Sequence, residues 1–315
     1  MTKRKKLITI LIPCYNEEEV INICHSEVTK IIDTLPYNFE IIYVNDGSTD
    51  KTQALLDTLQ QKDKRIVVVK LSRNFGKEAA MTAGIDITRG DALIILDADL
   101  QDPPALIPDI INKWKETGAD VVYGQRIMRE GETWFKKFTA NGFYKVINFL
   151  AHNVQLPRNT GDFRLMNRRS IDALIQLREK HRFMKGLFAW IGFNQVALQY
   201  NRAPRVAGTT KWNYHKLWHF ALEGITGFST TPLRIATLCG TFVSLFSFAF
   251  GGFIILRTIF FGAEVEGWAS IMVMLTFLSG IQLLSIGVLG EYIGRIFGET
   301  KKRPLYFIDE IKKTD

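Results

Sequence analysis

Residues 93–104 read LIILDADLQDPP, and this stretch decides the fold. Leu93, Ile94, Ile95 and Leu96 form an apolar run too short for a helix and bounded by polar residues, the pattern of a strand buried on both faces of a parallel sheet. Asp97 and Asp99 follow at once, and Pro103 and Pro104 end the extended run and suit the first turn of a helix. Open α/β sheets bind ligands just beyond the carboxyl ends of their strands. Two carboxylates there, one residue apart, can face one cleft if the chain bends, and hard oxygen donors suit Mg2+ or Mn2+ shared with substrate phosphates. Capping of the following helix by the same aspartates remains the simple alternative.

Outward from this strand the pattern repeats. Leu7–Ile12, Phe39–Val44, Ile66–Leu71 and Asp120–Tyr123 read as strands, with helices expected from Asn16 to about Thr34, after Asp50, over Glu78–Ile87 and from about Pro104 to Thr117. The alternation predicts an α/β domain, mostly parallel, with helices on both faces of the sheet. Each strand ends in polar residues: Tyr15 and Glu17, Asp46, Arg73 and Lys77, Asp97 and Asp99, Gln125 and Arg126. Parallel strands would gather them on one edge. Neither GxGxxG nor GxxxxGK[ST] occurs, which disfavours dinucleotide and Walker-type sites.

The chain of 315 residues carries a net charge of +8, which suits an anionic partner. No nucleic-acid-binding motif accompanies that charge, and no nucleic-acid partner is expected. Cys14, Cys24 and Cys239 form no CxxC pair, and the five histidines show no metal-ligand spacing. Ile235–Leu256 and Gly267–Gly290 contain no charged residue, and each is long enough to cross roughly 30 Å of hydrocarbon. Arg234 precedes the first, and Arg295, Lys301, Lys302 and Arg303 follow the second. The loop between them carries Glu264 and Glu266. The bias of basic residues puts both termini and the soluble domain in the cytoplasm, and the protein in the cell (inner or plasma) membrane as a multi-pass chain. Gly287, Gly290 and Gly294 allow close helix contact, and a homo-oligomer is the expectation. Residues 132–154 and 211–231 read as helices lying in the membrane interface. The expected division is thus a catalytic domain over 1–232, two spans over 233–298, and a basic tail over 299–315.

The motifs PCYNEEE, VNDGSTDKT, SRNFGKEAAMTAG, DADLQDPP and YGQR occur in this order between Pro13 and Arg126. Together with the apolar tail they resemble a family two glycosyltransferase of the GT-A fold. The closer similarity is to the polyisoprenyl-phosphate glycosyltransferases, which include dolichol-phosphate mannose synthases and bactoprenol glucosyltransferases. The resemblance implies that Pro13, Tyr15, Glu17 and Asp46 hold the base and ribose of a nucleotide sugar, with Arg73, Lys77 and Asp97 completing the donor site. It implies a metal set of Asp97, Asp99 and Gln101, with Mg2+ or Mn2+ stabilising the leaving diphosphate. Asp99, Asp162 and Arg126 are the expected catalytic residues. For Arg126 a structural salt bridge is the alternative, and for Asp162 an orienting role competes with that of a base. Arg202, Arg205 and Lys211 are the expected ligands of the acceptor phosphate.

The implied reaction is inverting transfer of one hexosyl unit, from UDP-glucose, to polyprenyl (undecaprenyl) phosphate. UDP-N-acetylglucosamine or GDP-mannose as donor is the alternative. A processive polysaccharide synthase is disfavoured by the absence of Gln-x-x-Arg-Trp, and a non-catalytic membrane scaffold by the intact Asp97, Asp99 and Arg126.

Overall fold

The computed structural model describes residues 5–127, 157, 159–180, 182–201, 231–262 and 267–314. The expected interfacial helices, Arg202, Arg205, Lys211, Glu264 and Glu266 lie outside these residues.

Eight strands form one sheet: β1 (Leu7–Cys14), β2 (Asn38–Asn45), β3 (Ile66–Leu71), β4 (Ala92–Ile95), β5 (Val121–Arg126), β6 (Thr160–Asn167), β7 (Gln195–Tyr200) and β8 (Ile308–Lys312). Their order is β7-β5-β6-β4-β1-β2-β3-β8. β1 pairs parallel with β2 and β4, β2 with β3, and β5 with β7. β6 runs antiparallel to β4 and β5, and β8 antiparallel to β3. The sheet is therefore mostly parallel, as a GT-A domain requires, with two reversed strands. The reversed β6 begins at the edge where its neighbours end.

Side chains alternate between two cores, as period-two geometry demands. Ile8, Ile10, Ile12 and Ile94 pack on one face against α1 (Ile21–Ile32), α2 (Thr52–Lys62) and α4 (Ile107–Thr117). Leu11, Leu93 and Ile95 pack on the other against α3 (Lys77–Ile87), α5 (Arg168–Gln176) and α6 (Met184–Trp190). Each fully buried side chain of this kind contributes about 1.5–3 kcal/mol.

Several boundaries differ from the sequence expectation, each for a local reason. α1 begins at Ile21, not Asn16. Asn16 takes a left-handed φ of 54°, and its side-chain oxygen accepts from Thr49 N–H (2.8 Å), so it caps the neighbouring loop instead of a helix. Pro104–Leu106 forms a 3-10 turn before α4. β5 runs on to Arg126 because β7 pairs along its whole length. Part of the basic tail is strand β8, which covers the edge of β3 and adds the ion pairs Lys70–Asp309 (2.6 Å) and Lys312–Asp57 (2.9 Å).

Two long helices follow, α7 (Thr231–Phe261) and α8 (Trp268–Thr300). Ile235–Phe253 and Phe277–Thr300 within them are long and apolar enough to cross a membrane, and neither is buried against the protein. Phe242, Phe248 and Leu283 are among the large apolar side chains exposed along them.

At the sheet end opposite the polar tips, Thr9 of β1 lies in register with Glu40 of β2. Its hydroxyl donates to Glu40 Oε2 (2.9 Å) and accepts from Gly90 N–H (3.2 Å), while Arg89 closes on Glu40 Oε1 (2.7 Å). Thr9→Val keeps the shape and suits a strand, yet leaves two buried partners unsatisfied. The expected cost is about 1–3 kcal/mol, read as an earlier unfolding midpoint of the detergent-solubilised protein.

Candidate active site

The loops after β1 and β2 are laced together by side chain to backbone bonds. Asn16 N–H donates to Ser48 Oγ (3.0 Å), Glu17 N–H to Thr52 Oγ1 (2.9 Å), and Lys51 N–H to Glu18 Oε2 (2.9 Å). These bonds join the turn after β1 to the turn after β2, and leave the Tyr15 ring partly exposed at the edge. Pro13 stays within β1, paired with Val44. The buried Asp46 carboxylate accepts from Phe75 N–H (2.7 Å) and Gly76 N–H (2.9 Å), so it fixes the loop after β3. Burial raises its pKa and outweighs those two bonds. Gly47 has φ 65°, and a Cβ there would lie 2.4 Å from the Arg73 carbonyl carbon, so the two loops touch through backbone. Arg73 lies on the exposed side of that loop, over the Phe75 ring at 4.0 Å.

Lys77, the first residue of α3, stands between two carboxylates. Its ammonium is 2.7 Å from Asp97 Oδ1 and 2.6 Å from Asp162 Oδ2. Asp97 follows β4, and Asp162 stands near the start of β6. Strand reversal thus brings the beginning of one strand to the ends of the others. Burial alone would raise the Asp162 carboxyl, but the Lys77 and Lys185 charges outweigh it and hold it well below the usual carboxylate range. The same pairing holds the Lys77 ammonium above its ordinary value against its own desolvation.

Glu78 follows directly and accepts from Met184 N–H (3.3 Å) at the start of α6. Burial, and then the Asp162 charge, push its carboxyl up to about 8. Arg164 is buried behind Asp162. It donates to the carbonyls of Gly161 (3.0 Å) and Asp162 (3.2 Å), and lies over the Phe188 ring at 3.5 Å. Burial lowers its pKa to about 10.

A second cluster surrounds Asp102, which is 1% exposed. Tyr200 Oη donates to Asp102 Oδ1, Arg126 Nη2 approaches the same carboxylate at 3.4 Å, and Arg126 Nε donates to Tyr200 Oη (3.2 Å). A Cβ at Gly161 would lie 2.6 Å from Arg126 Nη2, so a larger residue there would push the guanidinium off its present position beside Asp102. The Arg126 charge is thus matched within the protein, by a salt bridge to a buried aspartate. The residues missed in the sequence are Asp102, Tyr200, Glu78, Arg164 and Lys185. Of these only Asp102 carried a local signal, as the third aspartate of DADLQD.

Asp99 Oδ1 accepts from Gln101 N–H (3.1 Å) across a sharp turn. Leu100 between them takes a left-handed φ of 58° while 5% exposed. A branched side chain pays strain in that region, on the order of 1–3 kcal/mol, and burial in the core holds it there. Among the described residues no three His, Cys, Asp or Glu side chains gather closely enough to hold a metal alone. Two carboxylates, Asp97 and Asp99, with the amide oxygen of Gln101, are hard oxygen donors of the kind that fits a divalent ion drawing its remaining ligands from phosphates and water. Lys77 already places a positive charge against Asp97.

Comparison with known proteins identifies the family. Residues 9–175 match Glycosyl transferase family 2. An uncharacterized glycosyltransferase of Synechocystis is 51% identical over 304 residues, covering 96% of this chain and 95% of the relative. A prophage bactoprenol glucosyl transferase homolog of Escherichia coli is 46% identical over 306 residues, covering 97% and 99%. Among solved structures, glucosyl-3-phosphoglycerate synthase from Mycobacterium tuberculosis, in complex with Mn2+, UDP-glucose and phosphoglyceric acid, aligns with a TM-score of 0.47 at 20% identity, covering 70% of this chain and 78% of that one. The chain belongs to glycosyl transferase family 2 and is a glycosyltransferase.

Proposed function

We propose that this protein transfers one hexosyl unit, glucose from UDP-glucose, to the phosphate of polyprenyl (undecaprenyl) phosphate, with inversion at the anomeric carbon. The observation that carries the proposal is the Asp97–Lys77–Asp162 cluster at the sheet edge, in a chain with two membrane-length helices. Relatives named bactoprenol glucosyl transferase at 45–46% identity over nearly the full chain support the acceptor and the sugar.

In the proposed reaction an acceptor phosphate oxygen attacks C1 of the sugar. The C1–O bond to the diphosphate breaks, and its electron pair leaves with the nucleoside diphosphate. Tyr15, Glu17 and Asp46 line the base and ribose end, while Arg73 and Lys77 supply positive charge for the diphosphate. Asp97, Asp99 and Gln101 would hold a divalent ion, Mg2+ or Mn2+, which would supply charge to neutralise the leaving group. Arg126, tied to Asp102 and Tyr200, positions β6 and hence Asp162. Arg202, Arg205 and Lys211 hold the acceptor phosphate. The spans anchor the chain in the cell membrane with the catalytic domain in the cytoplasm, where the lipid phosphate lies at headgroup level.

A phosphate monoester has a second pKa of about 6, so the nucleophile is already largely anionic at neutral pH. Asp162, with its carboxyl held low by two lysines, is a poor base and serves to orient Lys77 and the acceptor.

Radiolabelled sugar from UDP-glucose is expected to enter an organic-soluble product with polyprenyl phosphate, to stop with EDTA, and to resume with Mg2+ or Mn2+. A panel of UDP- and GDP-sugars that gives no lipid product from any donor would end the proposal. Asp162→Asn is expected to slow transfer about 10–100-fold, the worth of one charge-assisted bond. Its pH–rate profile should keep the wild-type acid limb, because that limb belongs to the acceptor; loss of the limb would restore the base role. The raised Glu78 carboxyl gives a third expectation. Its folded value of about 8 lies above the ordinary 4.5, so its stabilising contribution is complete below pH 4.5 and fades as pH rises through 8. Melting midpoints of the wild type should fall between pH 5 and 9, and those of Glu78→Gln should fall less.

A further inference from the structure

Where α8 ends, the chain turns back to the catalytic domain through a cleft unrelated to the donor site. The apolar span closes at Thr300, and Lys302 turns with φ 47°. Tyr306 Oη then donates to Asp86 Oδ2 (2.6 Å) on α3. Arg178 grips the same carboxylate with two bonds, at 2.7 and 2.9 Å. Lys180 N–H donates to Glu299 Oε1 (2.7 Å) in the last turn of α8. These contacts frame a cleft of about 480 Å3 lined by Arg178, Lys180, Glu299, Lys302, Arg303 and Tyr306.

The charges in the cleft do not balance. Four basic side chains line it against one carboxylate. Arg178 is matched by Asp86, which leaves Lys180, Lys302 and Arg303. No carboxylate pairs with those three among the described residues. Three like charges around one concave space give it a positive potential that attracts an anion. A volume of 480 Å3 falls in the range of ligand-sized clefts. Its position selects the anion: the cleft begins within two residues of the end of a membrane-length helix whose apolar side chains are exposed, so it opens at headgroup depth with room for acyl chains alongside.

We propose that this cleft seats the phosphate headgroup of an acidic bilayer phospholipid. Lys180, Lys302 and Arg303 are its phosphate ligands, and the exposed faces of α7 and α8 take its chains. The cleft is separate from the transfer site. Asp86 and Lys77 lie nine positions apart on α3, about 14 Å at 1.5 Å per residue. A bound lipid would fasten the exit of the hairpin to α3 and to the segment between α5 and α6.

The test uses the full-length protein in neutral detergent, with unfolding followed by intrinsic fluorescence. Phosphatidylglycerol is expected to raise the melting midpoint by about 5 °C when well above its dissociation constant. Phosphatidylcholine and inorganic phosphate at equal concentration should leave it unchanged. In Lys180→Gln/Lys302→Gln/Arg303→Gln the phosphatidylglycerol shift should fall by at least half, with an unchanged far-UV circular dichroism spectrum. Should that triple variant not fold, Lys302→Gln/Arg303→Gln, both exposed, serves instead, and native mass spectrometry should show phosphatidylglycerol retained by the wild type and lost from the variant. An equal shift with phosphatidylcholine, a full shift with inorganic phosphate, or an undiminished shift in the variant would each overturn the proposal. So would a variant that loses only the shift caused by polyprenyl phosphate, which would assign the cleft to the acceptor. None of these readings depends on sugar transfer, so they stand apart from the outcome of the transferase assay.

Discussion

The Lys77 ammonium reaches two carboxylates because β6 runs backwards between β4 and β5. In an all-parallel sheet the start of a strand lies at the far edge from the ligand site. Reversal puts Gly161 and Asp162, at the head of β6, beside Asp97 at the tail of β4. The inserted strand brings Gly161 close to the Arg126 guanidinium. It also needs its polar backbone satisfied at the edge, and the buried Arg164 does this by donating to the Gly161 and Asp162 carbonyls. The ion pair at the site is therefore a consequence of topology, held by an arginine with no carboxylate bond of its own among the described contacts.

Charge governs the remainder of the site. Asp162 lies under Lys77, with Lys185 and Arg164 also acting on it, and its proton affinity is correspondingly low. Glu78, one residue from Lys77, takes the opposite course because it is buried against the Asp162 charge. Two neighbouring carboxyls thus sit at opposite ends of their titration range within one cluster. An ionised Asp162 keeps Lys77 fixed, while the raised Glu78 carboxyl resists adding a second negative charge beside it.

Much of this was legible in the sequence, and what was not has a physical reason. The run Leu93–Leu96 and the aspartates after it announce a buried strand and a polar tip, because both signals are local. Asp46, Arg73 and Lys77 were legible in the same way. Asp162 came only by family resemblance, since nothing local marks a strand as reversed. Tyr200 meets Asp102 across 98 positions of chain, and no periodicity reports such a contact. Asn16 was misplaced as a helix cap because Asn also serves left-handed turns, and the loop from β2 competed for its side chain. β8 was hidden by its charges: Asp309, Glu310 and Lys312 read as a solvated tail, yet charges are what an exposed edge strand carries to block further pairing.

That edge strand links the two long apolar helices to the loop after β3. β8 pairs with β3, and just before it Phe307 O accepts from Ser72 N–H (3.0 Å) while the Phe307 ring packs near Phe75. The loop after β3 is consequently held on both sides, by the tail through Ser72 and Phe75 and by Asp46 through Phe75 N–H and Gly76 N–H. Gly76 is the residue before Lys77. A displacement of the tail would have to stretch backbone bonds on both sides of this short loop before Lys77 stayed behind, so the ammonium and the end of the hairpin are positioned as one unit. Movement at the exit of the apolar helices is thereby passed to the one residue that holds Asp97 and Asp162 together.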